Sequence, residues 1–302
     1  MNLSLPGTVS CQKYGSQKMA KILVTGGNGQ LGKALQNILK DEKTLFTDVE
    51  NMDITDKESI EKVFNEFKPE WLIHGAAYTN VDGCEENPEI ADKVNRIGTE
   101  NLAGACKKHN CRMIYISTDY VFDGKNQEPY TEEDTPNPQS VYGKTKLAGE
   151  KATIKLQDSY VLRTSWVYGD GQNFVKTMLV LSSKMDKVRV VNDQFGRPTF
   201  AEDLAQGIYD LVKNKPESGT YHISGGGKTI SWEDFSRKIF EVAGKKTKVV
   251  GITTKAYFAQ YPDKKIAPRP HFSVFSLEKS KKAGIKIIDW EDSLKIYVSA
   301  IS

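Results

Sequence analysis

The sequence predicts an α/β protein, a doubly wound parallel sheet joined to a smaller, discontinuous α/β unit. Three observations predict it. Short apolar runs alternate with segments of helical spacing through the first half of the chain. A glycine-rich turn joins the first run to the first helical segment. The alternation then loosens after about residue 170. Strands alternating with helices of ten or more residues make βαβ units and a parallel sheet.

Taken in order, Lys21 to Thr25 (KILVT) reads as the first strand and Leu31 to Leu39 as the first helix. Thr44 to Thr47 is the second strand. Ser59 to Phe67 is a helix, stopped by Lys68-Pro69 because a proline cannot continue it. Trp71 to His74 is the third strand and Ala91 to Lys108 one long helix. Arg112 to Ser117 (RMIYIS) is the fourth strand, Tyr142 to Leu156 a helix, and Ser159 to Arg163 the fifth strand. These strands are apolar nearly throughout, as strands covered on both faces should be. Farther on, Phe174 to Ser182, Glu202 to Lys213, Trp232 to Ala243 and Trp290 to Val298 read as helices. Val188 to Asn192, Gly219 to Ser224 and Lys248 to Ile252 read as strands. Thr254 to Phe275 holds three prolines and reads mostly as loop.

Composition narrows the function classes. The chain has 302 residues, 38% hydrophobic and 27% charged, with a formal charge of +3. That is ordinary for a globular protein and too weakly basic to suggest nucleic acid as a partner. The four cysteines, none in a C-x-x-C pair, do not suggest a disulfide framework. No apolar run is long enough to span a bilayer. The first eighteen residues lack the basic start and apolar core of a signal peptide and are read as a disordered extension. A cytoplasmic location, with no membrane partner, is the expectation.

The turn Thr25 to Gly32 reads TGGNGQLG, with Gly26, Gly29 and Gly32 as G-x-x-G-x-x-G. It follows a strand and opens a helix, the context in which such a turn binds a dinucleotide. Glycine permits the tight turn and the close approach of backbone to pyrophosphate, and the helix N-terminus offers its N–H groups to the phosphates. Asp48 lies about twenty residues on, at the end of the second strand. A carboxylate there accepts from a free ribose 2′-hydroxyl and repels a 2′-phosphate, which favours NADH over NADPH. Asp53 is the alternative for this role, and Asp53-Ile54 could instead flank the adenine.

Tyr142 and Lys146 form Y-x-x-x-K, and residues four apart share a helix face. A phenol is a poor acid–base catalyst at neutral pH, and a nearby ammonium is expected to lower its pKa. Lys146 can also donate to the nicotinamide ribose. Thr118, at the carboxyl end of the fourth strand, can hold a substrate carbonyl beside Tyr142. Asn95, on the preceding helix, could organise a water or a backbone carbonyl in a proton path.

With these motifs in hand, the chain resembles the extended short-chain dehydrogenases, and more narrowly the dTDP-4-dehydrorhamnose reductases. ISTDYVF and VYGKTKLAGE carry the resemblance. So do GAAYTNVDGCE (Gly75 to Glu85), RTSWVYG (Arg163 to Gly169), NFVKTM, VNDQFGRPT (Val191 to Thr199), SWEDF and RPHFS (Arg269 to Ser273). The resemblance implies a Rossmann-type domain and NAD(P)H-dependent reduction of dTDP-4-dehydro-L-rhamnose to dTDP-L-rhamnose, with Tyr142 supplying the proton. It implies cofactor contacts at Gly29, Gln30, Leu31, Asp48, Asp53, Ile54, Ala77, Tyr78 and Thr79, to which Ala76 and Asn95 are added. It implies substrate contacts at Thr118 and Asp119, with Trp166 packing on the sugar and Thr79 and Val81 lining the pocket. Asn173, Lys176 and Arg197 read either as framework or as phosphate ligands.

Two departures stand out. Some members of the family bridge subunits through a glutamate-held metal; Ala34 occupies one such position, so no metal site is expected. Lys264 to Arg269 (KKIAPR) departs from an arginine-rich form. The expected division places a dinucleotide-binding domain at residues 19–171 plus 201–226. The sugar-nucleotide domain takes residues 172–200 plus 227–302. A homodimer is compatible with all of this. Two rival readings stay open: another nucleotide-sugar 4-ketoreductase or epimerase, and a non-catalytic regulatory subunit of methionine adenosyltransferase.

Overall fold

The computed structural model describes residues 19–301; the extension expected over the first eighteen lies outside them. Six parallel strands make the main sheet. Five follow in chain order: β1 (Lys21–Thr25), β2 (Lys43–Thr47), β3 (Trp71–His74), β4 (Arg112–Thr118) and β5 (Tyr160–Thr164). The sixth, Gly219–His222, lies outside β5. The spatial order is Gly219–His222, β5, β4, β3, β1, β2. The chain therefore steps from β1 to β2 on one side and returns to β3 on the other. That reversal opens a crevice at the carboxyl ends of β1 and β3, where such sheets bind ligands.

Both faces of the sheet are covered, which is why its strands are apolar on both sides. On one face, α1 (Gln30–Ile38) packs Ala34 and Leu35 against Leu204, Ala205, Ile208 and Leu211 of the helix Ala201–Asn214. On the other, Ile60 and Phe64 of α2 (Lys57–Phe67) meet Leu102, Ala105 and Met113. Asp56 caps α2 by accepting from Glu58 N at 2.9 Å, and Lys68, left-handed at φ 54°, ends it before Pro69.

A second core gathers Val175, Met178, Val188, Phe235, Ile239, Leu294 and Val298. It is built from the helices Phe174–Ser182, Trp232–Val242 and Trp290–Ile301 and the parallel pair Lys187–Val191 and Lys248–Ile252. Ile285 packs in the main core instead, and Phe275 and Leu277 join Val121, Phe122 and Tyr130 in a satellite cluster.

Two expectations hold with added detail. The long helix expected over Ala91 to Lys108 is one continuous helical run, Pro88–Ala91, Asp92–Gly98 and Thr99–His109, whose middle stretch is π-helical. A π segment is a local response to tertiary contacts and leaves no mark in hydrophobic period. Here Gly98 abuts Ile54, where a Cβ would fall 2.8 Å from Cγ1. The stretch expected as loop contains a short helix, Thr254–Phe258, started by Thr253 accepting from Ala256 N.

Candidate active site

The crevice holds a groove of about 620 Å³. Its lining includes Gly26, Gly29, Gln30, Leu31, Gly32, Asp48, Asp53, Ile54, Ala76, Ala77 and Thr79. The glycine turn hangs from the end of β2, because Gly26 N and Gly27 N both donate to Thr47 O, at 2.8 and 3.1 Å. Gly26 has φ +75°, and a Cβ there would lie 2.9 Å from Ala76 N. At Gly32 a Cβ would strike Gly26 O at 2.2 Å. Only glycine lets helix and turn close up this way. Gly29 caps α1 without a side-chain hydrogen bond, so no side chain competes for the amides of the first turn. Gln30 Oε1 is buried beside them without a protein partner. An open helix N-terminus, glycine-walled backbone and an orphaned acceptor are the features a dinucleotide needs, and the residues present fit one.

Asp48 stands at the far end of the groove. Its Oδ2 accepts from Asn28 N at 2.7 Å, which fixes the carboxylate against the glycine turn. Tyr78 and Asn95 stand behind the lining. Asn95 is buried, accepts from Tyr78 N at 2.8 Å, and donates to Tyr78 O and Thr145 Oγ1, each at 3.2 Å. It ties the groove wall to the helix Val141–Thr153 and holds the Tyr78 backbone carbonyl through its amide.

That helix carries Tyr142 and Lys146 one turn apart. Ser140 caps it by accepting from Gly143 N, and Gly143 lets it close on Tyr120 O, which a Cβ would meet at 2.1 Å. Thr118 hydrogen-bonds the Tyr142 hydroxyl and donates to Asp119 Oδ1 at 3.0 Å. The sheet end and the helix thus bring Thr118, Asp119 and Tyr142 together. Lys146 is buried, donating from Nζ to Ile116 O at 2.7 Å.

The electrostatics correct one expectation. Tyr142 is not lowered by Lys146. Burial pushes the phenol above its usual range, and the Asp119 charge adds to the rise. The phenol is therefore held protonated, the form that donates a proton. Burial also raises Asp119 to about 6, against the pull of hydrogen bonds from Ser273 and Thr118. Lys146 is pushed down to about 7 by burial, with Glu150 acting the other way.

The segment Arg269 to Ser273, a motif read from the sequence, closes on this centre through contacts that the motif did not specify. Ser273 Oγ donates to Asp119 Oδ2 at 2.5 Å. Arg269 grips Asp82 with both terminal nitrogens, at 2.6 and 2.9 Å. Asp82 lies beside Val81 on the short helix Val81–Glu86, capped by Asn80. Trp166 is half-buried, has φ 51° and stacks on Trp232 with ring centroids 3.6 Å apart. A left-handed tryptophan is strained, so the surroundings must hold it there.

Of the residues read as framework or phosphate ligands, Asn173 is framework by its bonds. It caps the helix Phe174–Ser182 and donates to Gly169 O at 2.6 Å and to Tyr297 Oη at 2.7 Å. Lys176 Nζ faces Asp170 at 3.4 Å. Arg197 Nη1 donates to Phe275 O, with its Nε buried and unpartnered.

A larger hollow of about 1060 Å³ lies at the opposite edge of the sheet, among Lys68, Lys107, Arg112, Lys155 and Lys213. Helix C-termini converge there, ending at Lys68, Asn110 and Lys215 in left-handed caps. The cations answer those negative helix ends, and none of the motifs reaches this side.

The family model described as RmlD substrate binding domain matches residues 20–302. The chain belongs to the dTDP-4-dehydrorhamnose reductase family. A dTDP-4-dehydrorhamnose reductase from Aggregatibacter actinomycetemcomitans is 40% identical over 92% of this chain and 98% of its own. The spore coat polysaccharide biosynthesis protein SpsK of Bacillus subtilis is 38% identical over 93% and 97%. Among solved structures, the dTDP-4-dehydrorhamnose reductase of Clostridium acetobutylicum is 44% identical over 93% of this chain and 99% of its own, with a TM-score of 0.87. That of Bacillus anthracis, in complex with NADP, is 36% identical over the same shares, also at 0.87. Within this family the fold is an α/β Rossmann-type sheet with a discontinuous second region, as observed here.

Proposed function

We propose that the chain reduces the 4-keto group of dTDP-4-dehydro-L-rhamnose with NAD(P)H, giving dTDP-L-rhamnose for cell-surface polysaccharide synthesis. What carries the reading is end-to-end similarity to reductases of this name, supported by the contact of Thr118 with Tyr142 at the carboxyl end of β4 and by Lys146 one turn along the Tyr142 helix.

A bound reduced nicotinamide supplies the hydride. The chain does the rest by positioning and by charge. Thr118 and Tyr142 offer hydroxyls to the substrate carbonyl oxygen. Tyr142, protonated, gives up its proton as negative charge grows on that oxygen. Lys146 then faces a phenolate and stabilises it. Asp119 and Trp166 shape the sugar site, with Thr79 and Val81 beside them, and Lys176 and Arg197 are the candidates left for the carrier phosphates. Residues 19–171 plus 201–226 hold the cofactor, and residues 172–200 plus 227–302 close over the sugar nucleotide.

Cofactor choice turns on Asp48. A carboxylate at this end of the groove suits a ribose hydroxyl and would favour NADH. The Bacillus anthracis relative carries NADP, so some members accommodate the phosphate.

The test is loss of the reduced-nicotinamide absorbance in the presence of enzymatically generated dTDP-4-dehydro-L-rhamnose. Sugar-dependent oxidation supports the reading. A folded, cofactor-binding protein without it sinks the reading. A second keto sugar belongs in the same assay, because a dTDP-4-keto-6-deoxy-D-glucose reductase from Streptomyces niveus is 34% identical over 90% of this chain.

A further inference from the structure

We propose that Tyr115 and Glu150 are positioning residues that hold the Lys146 side chain as an ammonium beside the reacting phenol. This rests on the role given to Lys146 above. Lys146 is 3% exposed. An ammonium taken out of water loses its hydration and tends to shed its proton unless the protein replaces what water supplied. A neutral amine would do nothing for a phenolate.

Three groups replace the lost water. Ile116 O accepts from Nζ. The Tyr115 ring lies under it, 4.1 Å from Nζ to the centroid, and a ring face attracts a cation most strongly where water is excluded. Glu150 stands one turn farther along the same helix. Its carboxylate is buried and held by three donors: Arg163 Nε at 2.9 Å, Arg163 Nη2 at 2.8 Å and Ser117 Oγ at 2.5 Å. Three donors on one buried carboxylate fix its position and orientation.

The groups facing Lys146 can be named element by element. Its own helix supplies Tyr142 and Glu150, β4 supplies Tyr115, β3 supplies His74, and Arg163 of β5 lies behind Glu150. His74 is neutral: burial holds it near 3, and the Lys146 charge adds to the lowering. Its two ring nitrogens are engaged by Thr25 and Thr99. The Arg163 charge is taken up by Glu150. Burial and Glu150 thus pull Lys146 in opposite directions, consistent with its place near neutrality.

The test compares Tyr115→Phe, Tyr115→Leu and the double variant Glu150→Leu with Arg163→Leu. The double variant avoids stranding a buried arginine, which could unfold the protein. The readouts are the pH profile of kcat/KM and, without any sugar, the pH dependence of cofactor binding. Removing the ring face or the carboxylate favours the neutral amine, so Lys146 loses its proton at lower pH. The alkaline limb of both profiles then moves down by about one pH unit in Tyr115→Leu and in the double variant, and kcat near neutrality falls roughly tenfold. Tyr115→Phe keeps the ring and the wild-type limb. If the folded Leu variants keep the wild-type limb, or lose rate evenly at every pH, Tyr115 and Glu150 are packing residues only and the inference is overturned. A wild-type protein that binds cofactor but never oxidises it with sugar overturns the proposed function instead, and the binding profile still decides this inference.

Discussion

Tyr142 shows how far a single side chain depends on its surroundings. In sequence it is paired with a lysine that should lower its pKa; in the fold, burial and Asp119 raise it, and the phenol is held as an acid. Tyr142→Phe should fold, bind cofactor and lose at least about a hundredfold in kcat, the size of a positioned proton donor. Near-normal turnover would remove Tyr142 from the chemistry. The buried histidines give a separate prediction. Burial holds His74 and His222 near 3, against an ordinary 6.5. The unfolded chain binds protons there that the folded protein refuses. Stability should therefore fall as pH drops from the unfolded value toward the folded one, by up to about 1.4 kcal/mol per pH unit for each. Asp119 runs oppositely: raised to about 6, it costs stability as pH rises from its ordinary 3.8. In His222→Phe the fall of Tm with acid should be shallower than in wild type. An unchanged slope would mean that His222 does not titrate on unfolding.

Helices and turns contribute through their ends. The glycine turn works because α1 begins against it with no room for a Cβ at Gly32. Gly32→Ala must push the helix N-terminus off the groove. Overpacking of this kind costs about 1–3 kcal/mol, and we expect cofactor binding to weaken tenfold or more, read by titration of nicotinamide fluorescence. Unchanged affinity would show that the first turn of α1 does not meet the phosphates. The Asn173 cap binds its own helix, Gly169 and Tyr297 of the closing helix at once. Asn173→Ala should lower stability by about 1–3 kcal/mol in denaturant unfolding while leaving KM for the sugar nucleotide within about twofold. A large KM change with stability intact would return Asn173 to the substrate.

Over the whole molecule, the end of β4 and the helix Val81–Glu86 are tied to the late segment around Arg269 and Ser273 by Asp119–Ser273 and Asp82–Arg269. The proposed cofactor groove lies on the main sheet, and the proposed sugar site would draw on that late segment as well. A ligand that binds only the native state raises apparent stability by mass action. NADH should therefore raise Tm, and NADPH should raise it less if the Asp48 carboxylate repels the 2′-phosphate. Asp48→Ala should narrow that difference. Equal shifts in wild type would end the case for Asp48 as the discriminator.

Much of this was legible from the chain alone. Trp71–His74, Phe174–Ser182 and Lys248–Ile252 were read to the residue, because apolar period and flanking breakers are local signals. The glycine turn was legible because Gly26 needs a left-handed backbone and Gly32 leaves no room for a Cβ. Thr118, Tyr142 and Lys146 were legible because a strand end and a helix face are short-range geometry. The rest depends on what comes near what. The π segment at Asn95, the left-handed Trp166 against Trp232, and the Ser273 and Arg269 bridges each join parts of the chain distant in sequence or respond to such a partner. The protonation of Tyr142 and Lys146 belongs to the same class. Period and motif set which residues face inward; desolvation and long-range partners, which exist only once the chain has closed, decide what charge those residues carry.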